Sequence, residues 1–150
     1  MMKVREHMNS SPRTAVRDLT LKEAAALLSL DDVEGLPVME NGNVVGIVTR
    51  RDILKLFIPE YMTLMETVSV PEDLGMLEPE TFFGVEGTLL LVDDIMRHDV
   101  PQISPDSSLL SAAVIMEKAG EHMLAVIEKG KLVGILTRLD VCRGFFTEGK

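Results

Sequence analysis

The sequence predicts an α+β fold assembled from two copies of one β-α-β-β-α unit. Three observations carry this expectation: a repeat displaced by 88 residues, a glycine turn joining two apolar runs in each copy, and an amphipathic helix ahead of each turn. Gly46 matches Gly134, Thr49 matches Thr137 and Asp52 matches Asp140. Ten of the nineteen positions from Leu36 to Leu54 recur between Leu124 and Cys142, and the match runs without a gap back to Val4 and Val92, taking Met8 onto Met96 and Asp18 onto Asp106. A repeat of this length means two supersecondary units, each with an apolar face that the other must cover. The expected division is a first unit over residues 1–56, an acidic connector over 57–91, a second unit over 92–146 and a tail over 147–150.

The elements follow in the same order in both copies. A short extended segment comes first, Thr14 to Val16 and Gln102 to Ser104. A helix follows over Thr20 to Leu30, with Leu21, Ala24, Ala25, Leu27 and Leu28 on one side. Its counterpart over Ser108 to Ala119 gathers Leu109, Ala112, Ala113 and Met116. Asp18 and Asp106 stand just ahead of these helices and are the candidate caps. Two strands come next, Leu36 to Glu40 and Val44 to Val48, around Asn41-Gly42, the strongest short hairpin signal; Lys129-Gly130 serves the second copy. A last helix starts after Thr49 or Thr137 and carries Ile53, Leu54 and Phe57, or Val141, Cys142 and Phe145.

At 150 residues the chain fits one globular unit or two halves sharing a core, and 46% hydrophobic residues suffice to fill it. The net charge of −9 is local: nine acids and no Lys or Arg lie between Lys55 and Arg97, and they account for the whole excess. The remainder is balanced, which leaves room for a phosphate ligand but supplies no basic stripe for nucleic acid. No apolar run is long enough for a membrane span, and no apolar segment of the signal-peptide kind follows Met1, so a cytoplasmic protein is expected. One cysteine, Cys142, excludes an internal disulfide and a multi-thiolate metal site, and His7, His98 and His122 show no metal-ligand spacing. Cys142 is expected to be packed rather than reactive. All six aromatic residues fall outside the best-matched repeat segments: Phe57, Tyr61, Phe82, Phe83, Phe145 and Phe146. The connector reads either as an ordered, partly helical insertion against the repeat core or as a partner-binding element.

The chemical signature is Gly46-Ile-Val-Thr49-Arg50-Arg51-Asp52 and Gly134-Ile-Leu-Thr137-Arg138-Leu139-Asp140. Thr-x-x-Asp at a strand-to-helix junction reads first as a capping box, the hydroxyl capping the helix and the acid reaching back. That explains neither the glycine three residues before the threonine nor the arginine after it. The second reading uses the same geometry: the helix N-terminus suits phosphate, and a carboxylate one turn in accepts hydrogen bonds from a ribose diol. The two readings are compatible. No phosphate-loop, dinucleotide-binding or nucleophile-elbow motif is present, and no nucleophile–base pair stands out, so an enzyme is not expected.

Two such motifs in register, each behind a hairpin and an earlier helix, make the chain resemble a tandem cystathionine-β-synthase (CBS) domain pair, or Bateman module. Val92-Asp-Asp-Ile-Met96, Pro101-Gln-Ile-Ser-Pro105-Asp106 and Gly35-Leu-Pro-Val38 fit the same pattern. The resemblance implies two sheets packed face to face about a pseudo-twofold axis, with two clefts able to take AMP, ADP, ATP or S-adenosylmethionine and no separate cofactor or metal. It implies that Asp52 and Asp140 hold ribose hydroxyls, with Thr49, Arg50, Thr137 and Arg138 toward ribose and phosphate. Adenine would lie against Thr14, Ala15, Leu36, Pro37 and Val38 in one cleft. In the other it would lie against Gln102, Ile103, Met123, Leu124 and Ala125, with His122 near a phosphate. Arg17 and Arg51 would favour polyphosphate in the first cleft. The implied function is a stand-alone regulatory sensor of an adenosyl ligand that forms a homodimer and acts on a protein target. The competing expectation is a ligand-free dimerisation or docking module.

Overall fold

The computed structural model describes residues 1–56 and 89–147. The expected connector elements and the aromatics Phe57, Tyr61, Phe82 and Phe83 lie outside the described residues. The first unit contains β1 (Ala15–Val16), α1 (Leu21–Leu28), β2 (Gly35–Glu40), β3 (Asn43–Thr49) and α2 (Arg50–Lys55). A one-turn helix, α3 (Val92–Ile95), leads into β4 (Gln102–Ile103), α4 (Leu109–Ala119), β5 (Met123–Glu128), β6 (Lys131–Thr137) and α5 (Arg138–Thr147). A 3-10 turn over Val4–Glu6 stands in the first copy where α3 stands in the second.

Each unit has a three-stranded sheet in the order β1-β2-β3 or β4-β5-β6. The first pair is parallel, because α1 or α4 carries the chain back across the sheet; the second is an antiparallel hairpin. The hairpin turns are tight because both central residues take left-handed backbone: Asn41 and Gly42 at φ 53° and 82°, Lys129 and Gly130 at φ 53° and 79°. A bulge falls at the same place in both sheets, Val38/Met39 and Val126/Ile127.

The helix caps correct the expectation for Asp18 and Asp106. Thr20 accepts the Glu23 N–H and Ser108 accepts the Ser111 N–H. Each acid lies inside a turn closed by Leu19 N–H on Val16 O or Ser107 N–H on Ser104 O, both at 3.1 Å, so the residue at the cap is two positions later. Leu21, Ala24 and Leu28, and Leu109, Ala112 and Met116, are buried as the helical spacing predicts. α4 runs to Ala119 and stops at Gly120 in the left-handed region (φ 65°), whereas α1 ends at Leu28. The first unit therefore has the longer loop between its helix and β2.

The two units are joined by exchanged arms. The arm before the first unit packs on the second: Val4 belongs to the core of Ile103, Leu109, Met116, Leu124, Leu136 and Val141, with Met2 and Met8 against it. The arm before the second unit packs on the first: Val92 and Met96 complete the core of Ala24, Leu28, Leu36, Val38 and Val48. Backbone bonds repeat across the pseudo-twofold relation. Val4 N–H donates to Ser107 O at 2.9 Å and Val92 N–H to Leu19 O at 2.8 Å; Leu109 N–H donates to Met2 O and Leu21 N–H to Leu90 O, both at 2.8 Å. Between the sheets lies a small third cluster of Ile47, Met123 and Ile135. Here Gly35, the counterpart of Met123, leaves the space that the Met123 sulfur fills.

Ion pairs at the arms are reversed between the halves. In one, Arg5 on the arm reaches Glu128 at 2.6 Å and Asp106 at 3.4 Å. In the other, the arm carries Asp93, and Arg17 on the first unit reaches it at 2.7 Å and Glu40 at 2.6 Å. Arg17 is thus paired at the arm and lines neither of the clefts beside Asp52 and Asp140, where it was expected to favour phosphate. Bonds to these carboxylates raise the pKa of both guanidiniums further above the usual arginine value. Exposed pairs add little stability each.

The motif glycines have a structural cause. A side chain on Gly134 would meet Asn9 O at 2.8 Å and Met8 Sδ at 2.7 Å; one on Gly46 would meet Arg97 O at 3.1 Å and Met96 Sδ at 2.6 Å. The close approach is made by the other unit's arm. Gly134→Ala is expected to lower stability by roughly 1–3 kcal/mol, the usual cost of overpacking. Urea unfolding of the purified variant against the parent checks it; an unchanged midpoint refutes the crossing as the reason for glycine.

Candidate functional site

Both threonine–aspartate motifs are capping boxes. Asp52 N–H donates to Thr49 Oγ1 (3.3 Å), while Thr49 N–H and Oγ1–H donate to Asp52 Oδ2 (2.8 and 3.0 Å). The second copy repeats this: Asp140 N–H to Thr137 Oγ1 at 3.2 Å, Thr137 N–H and hydroxyl to Asp140 Oδ2 at 2.9 and 3.0 Å. The cap uses one carboxylate oxygen of each aspartate, and the fate of the other differs.

Asp140 opens onto a cavity of ≈ 640 Å³. Its walls are the arm from Asn9 to Arg13, the long α1–β2 loop at Asp32–Gly35, and Thr137, Leu139, Asp140 and Arg143 of the second unit. Asp140 Oδ1 has no bonding partner among the described residues. Cations come from Arg13 on the arm and Arg143 one helical turn beyond Asp140, and carboxylates from Asp32 and Glu34. Asn9 is held by reciprocal backbone bonds with Ile135 (2.8 and 2.9 Å), and its Oδ1 accepts the Ser11 N–H at 3.0 Å.

The counterpart cleft beside Asp52 measures ≈ 280 Å³ and is bordered by Glu34, Thr49, Arg50, Arg51, Arg97, Glu121 and His122. Arg97 reaches across it: Nε lies 3.1 Å from Asp52 Oδ1 and donates to Asp52 Oδ2 at 3.3 Å, and Nη1 donates to Glu121 Oε1 at 2.8 Å. The Asp52 side chain is 9% exposed. The bonds to Glu121 and the charge of Asp52 hold the Arg97 guanidinium above its ordinary pKa, against the opposing effect of burial.

Thr49, Asp52, Thr137 and Asp140 therefore stand at two clefts, and the other expected residues divide. Arg50 donates from Nε to Leu28 O at 2.8 Å and from Nη2 to Leu30 O, tying down the end of α1. Arg138 donates to Glu121 O at 3.3 Å and lies against Ala113 and Met116 of α4. Arg50 also lines the smaller cleft, with Nη1 3.9 Å from Glu34 Oε2, whereas Arg138 borders neither of the two clefts.

Ala15, Leu36, Val38, Ile103 and Leu124 are buried in the two sheet–helix cores. Strand alternation sends these side chains under the helices, so they offer a base only their backbone. Pro37 and Ala125 pair in register with Ile47 and Ile135, and Met123 sits between the sheets. Thr14 and Gln102 are exposed. His122 lies at the smaller cleft, its Nδ1 3.8 Å from Glu34 Oε1. Cys142 is exposed beside Ala113 and Met116, a correction to its expected packing: α5 buries Val141 and Gly144 instead.

Sequence reasoning missed Asn9, Arg13, Asp32, Glu34, Arg97, Glu121 and Arg143. Arg143 follows Asp140 at helical spacing and was readable from it. The rest come from arms and loops that only the exchanged packing brings to the motifs. Among the described residues, no group of three or more His, Cys, Asp or Glu side chains converges as a metal site, and no helix is long and apolar enough to cross a membrane.

Comparison with known proteins follows this geometry. The family model "CBS domain" matches residues 4–59 and 92–146. A similar curated protein is the A-adding tRNA nucleotidyltransferase of Aquifex aeolicus, 29% identical over 141 residues, 93% of this chain and 14% of that protein, so the chain spans only a small part of that relative's length. Among solved structures, CBSX2 in complex with AMP aligns with a TM-score of 0.73 and 23% identity over the whole of both chains. The CBS domain pair of protein MJ0100, in complex with 5′-methylthioadenosine and S-adenosyl-L-methionine, aligns with a TM-score of 0.72 and 22% identity, covering 99% of this chain and 98% of that one. With two matched segments, two capping-box motifs and two sheets related by a pseudo-twofold axis, the chain belongs to the CBS domain family as a tandem pair.

Proposed function

We propose that this chain is a regulatory module that binds an adenine nucleotide or a related adenosyl ligand in the Asp140 cleft. One observation carries the reading: a cavity of ≈ 640 Å³ in which a helix N-terminus, a carboxylate with a spare oxygen and two arginines meet. That volume falls within the usual range for small-molecule sites, about 300–1,000 Å³. The first turn of α5 presents N–H groups and positive dipole to phosphate or carboxylate. Asp140 accepts the ribose hydroxyls through Oδ1, Arg13 and Arg143 offer charge to anionic groups, and the base lies along the arm and the Asp32–Gly35 loop. The adenosyl ligands of CBSX2 and MJ0100 support this ligand class.

The regulatory step follows from which parts the cleft joins. Its walls come from the first arm, a first-unit loop and the second-unit motif, so a ligand bridges the halves and favours one relative arrangement over another. A partner reads that arrangement. Leu110, Val114 and Ile115 on α4 are exposed apolar residues, and Leu110 and Val114 lie one helical turn apart. We read this face as the contact between two copies of the chain.

Two outcomes are expected. AMP, ADP, ATP and S-adenosylmethionine are each added to the protein in a thermal-shift series, and at least one raises the melting temperature with concentration. Asp140→Asn, which keeps an acceptor for the cap, weakens that ligand by roughly ten- to a hundredfold, the loss of charge-assisted bonds worth about 1.5–3 kcal/mol. Retained affinity in the folded variant refutes the ribose role. Separately, Leu110→Glu with Val114→Glu shifts sedimentation from dimer to monomer while circular dichroism is unchanged; a monomeric parent refutes the dimer.

A further inference from the structure

We propose that Arg97 is a built-in occupant of the smaller cleft, so that the chain takes up one adenosyl ligand, at Asp140, and not two. This rests on the adenosyl reading of the Asp140 cleft and adds its stoichiometry.

The two clefts share one backbone frame. Arg97 exchanges backbone bonds with Ile47 at 2.9 Å in both directions, as Asn9 does with Ile135 at 2.8 and 2.9 Å. The side chains of Asn9 and Arg97 therefore start from equivalent points and differ only in what they are. Asn9 is short and turns to its own arm, where it accepts the Ser11 N–H. Arg97 is long, cationic and aimed across its cleft between two carboxylates.

The second carboxylate sits at a repeat position that is not acidic in the other half, where Asp32 and Glu34 flank it instead. Glu121 occupies the position that Val33 occupies in the other half, and a valine cannot pair with a guanidinium. The clamp thus needs two differences between the repeats, Arg97 for Asn9 and Glu121 for Val33, and both are present in the same cleft. The Glu121 side chain is 17% exposed and that of Asp52 is 9%.

Asp52 is consequently saturated. Oδ2 serves the cap and also accepts Arg97 Nε–H at 3.3 Å, while Oδ1 lies 3.1 Å from the same nitrogen in the ion pair. A ribose diol entering here must expel the guanidinium from both carboxylates and leave charges without partners in a part-buried site, which is costly. Asp140 asks for no such exchange. The volumes of ≈ 280 and ≈ 640 Å³ agree with an occupied and an open cleft.

The test is titration calorimetry of the full chain with AMP and, in parallel, S-adenosylmethionine. The parent is expected to bind one molecule per chain of whichever compound it takes, with affinity that falls at least tenfold in Asp140→Asn and less than twofold in Asp52→Asn. Arg97→Asn, which installs the residue of the open cleft, is expected to raise the stoichiometry to two, and adding Asp52→Asn to it returns the value to one. Two molecules per chain in the parent, one in folded Arg97→Asn, or a parent site that responds to Asp52 and not Asp140 each overturn the inference. Should Arg97→Asn not fold, the parent stoichiometry and the two aspartate variants decide. Absence of binding to both parent and Arg97→Asn overturns the adenosyl reading itself, and this inference with it.

Discussion

The structure depends on one steric constraint: two polypeptide segments cross so closely that the lower one must be glycine. At Gly134 the arm of residues 8–9 lies on the strand, and at Gly46 the arm of residues 96–97 does the same. Each crossing brings a methionine down onto the sheet and fixes an arm residue with two backbone bonds to the isoleucine beside the glycine. From these crossings follow the sealing of each core by the other unit's valine and the position of Asn9 and Arg97 at the mouths of the clefts. The clefts are in this sense the spaces left beside two crossings. A larger residue at either glycine would disturb packing and site together, since the same arm supplies both.

Near-symmetry of the backbone makes the asymmetry of the side chains informative. Hydrogen bonds between arm and unit correspond pair by pair across the 88-residue offset, yet the charges do not. The arm arginine of one half is answered by an arm aspartate in the other. The open cleft has asparagine and valine where the closed cleft has arginine and glutamate. Duplicated geometry supplies equivalent positions, and substitution at those positions then assigns them different work.

Much of the fold was legible in the sequence because its signals are local. The hairpins rest on Asn41-Gly42 and Lys129-Gly130, the helices on apolar spacing, and the capping boxes on residues three apart; each involves neighbours in the chain. The caps at Thr20 and Ser108 were displaced by two positions because Asp18 and Asp106 are taken up in a turn just ahead of each helix. The site was only half legible. Thr49, Asp52, Thr137 and Asp140 could be read, but the cleft walls could not, because each is completed by an arm from far away in the chain. Strand alternation also sends Leu36, Val38 and Leu124 to the core, and a pattern of apolar residues does not say which side of a sheet borders a ligand. The backbone acceptors that Arg50 and Arg138 take, at Leu28 and Glu121, were not readable either, because they lie in a loop or helix end brought close only by the fold.

The exchanged arms bear on how the chain comes off the ribosome. Residues 2–9 are made long before the core they seal, which is built from residues 103–141. The first unit in turn stays unsealed until Val92 and Met96 have been synthesised. Neither half can reach its final packing while the chain is half made, so the pair closes late and as one event. A lone repeat would meet the same problem differently, and its remedy would be a second copy with the arms traded between two chains.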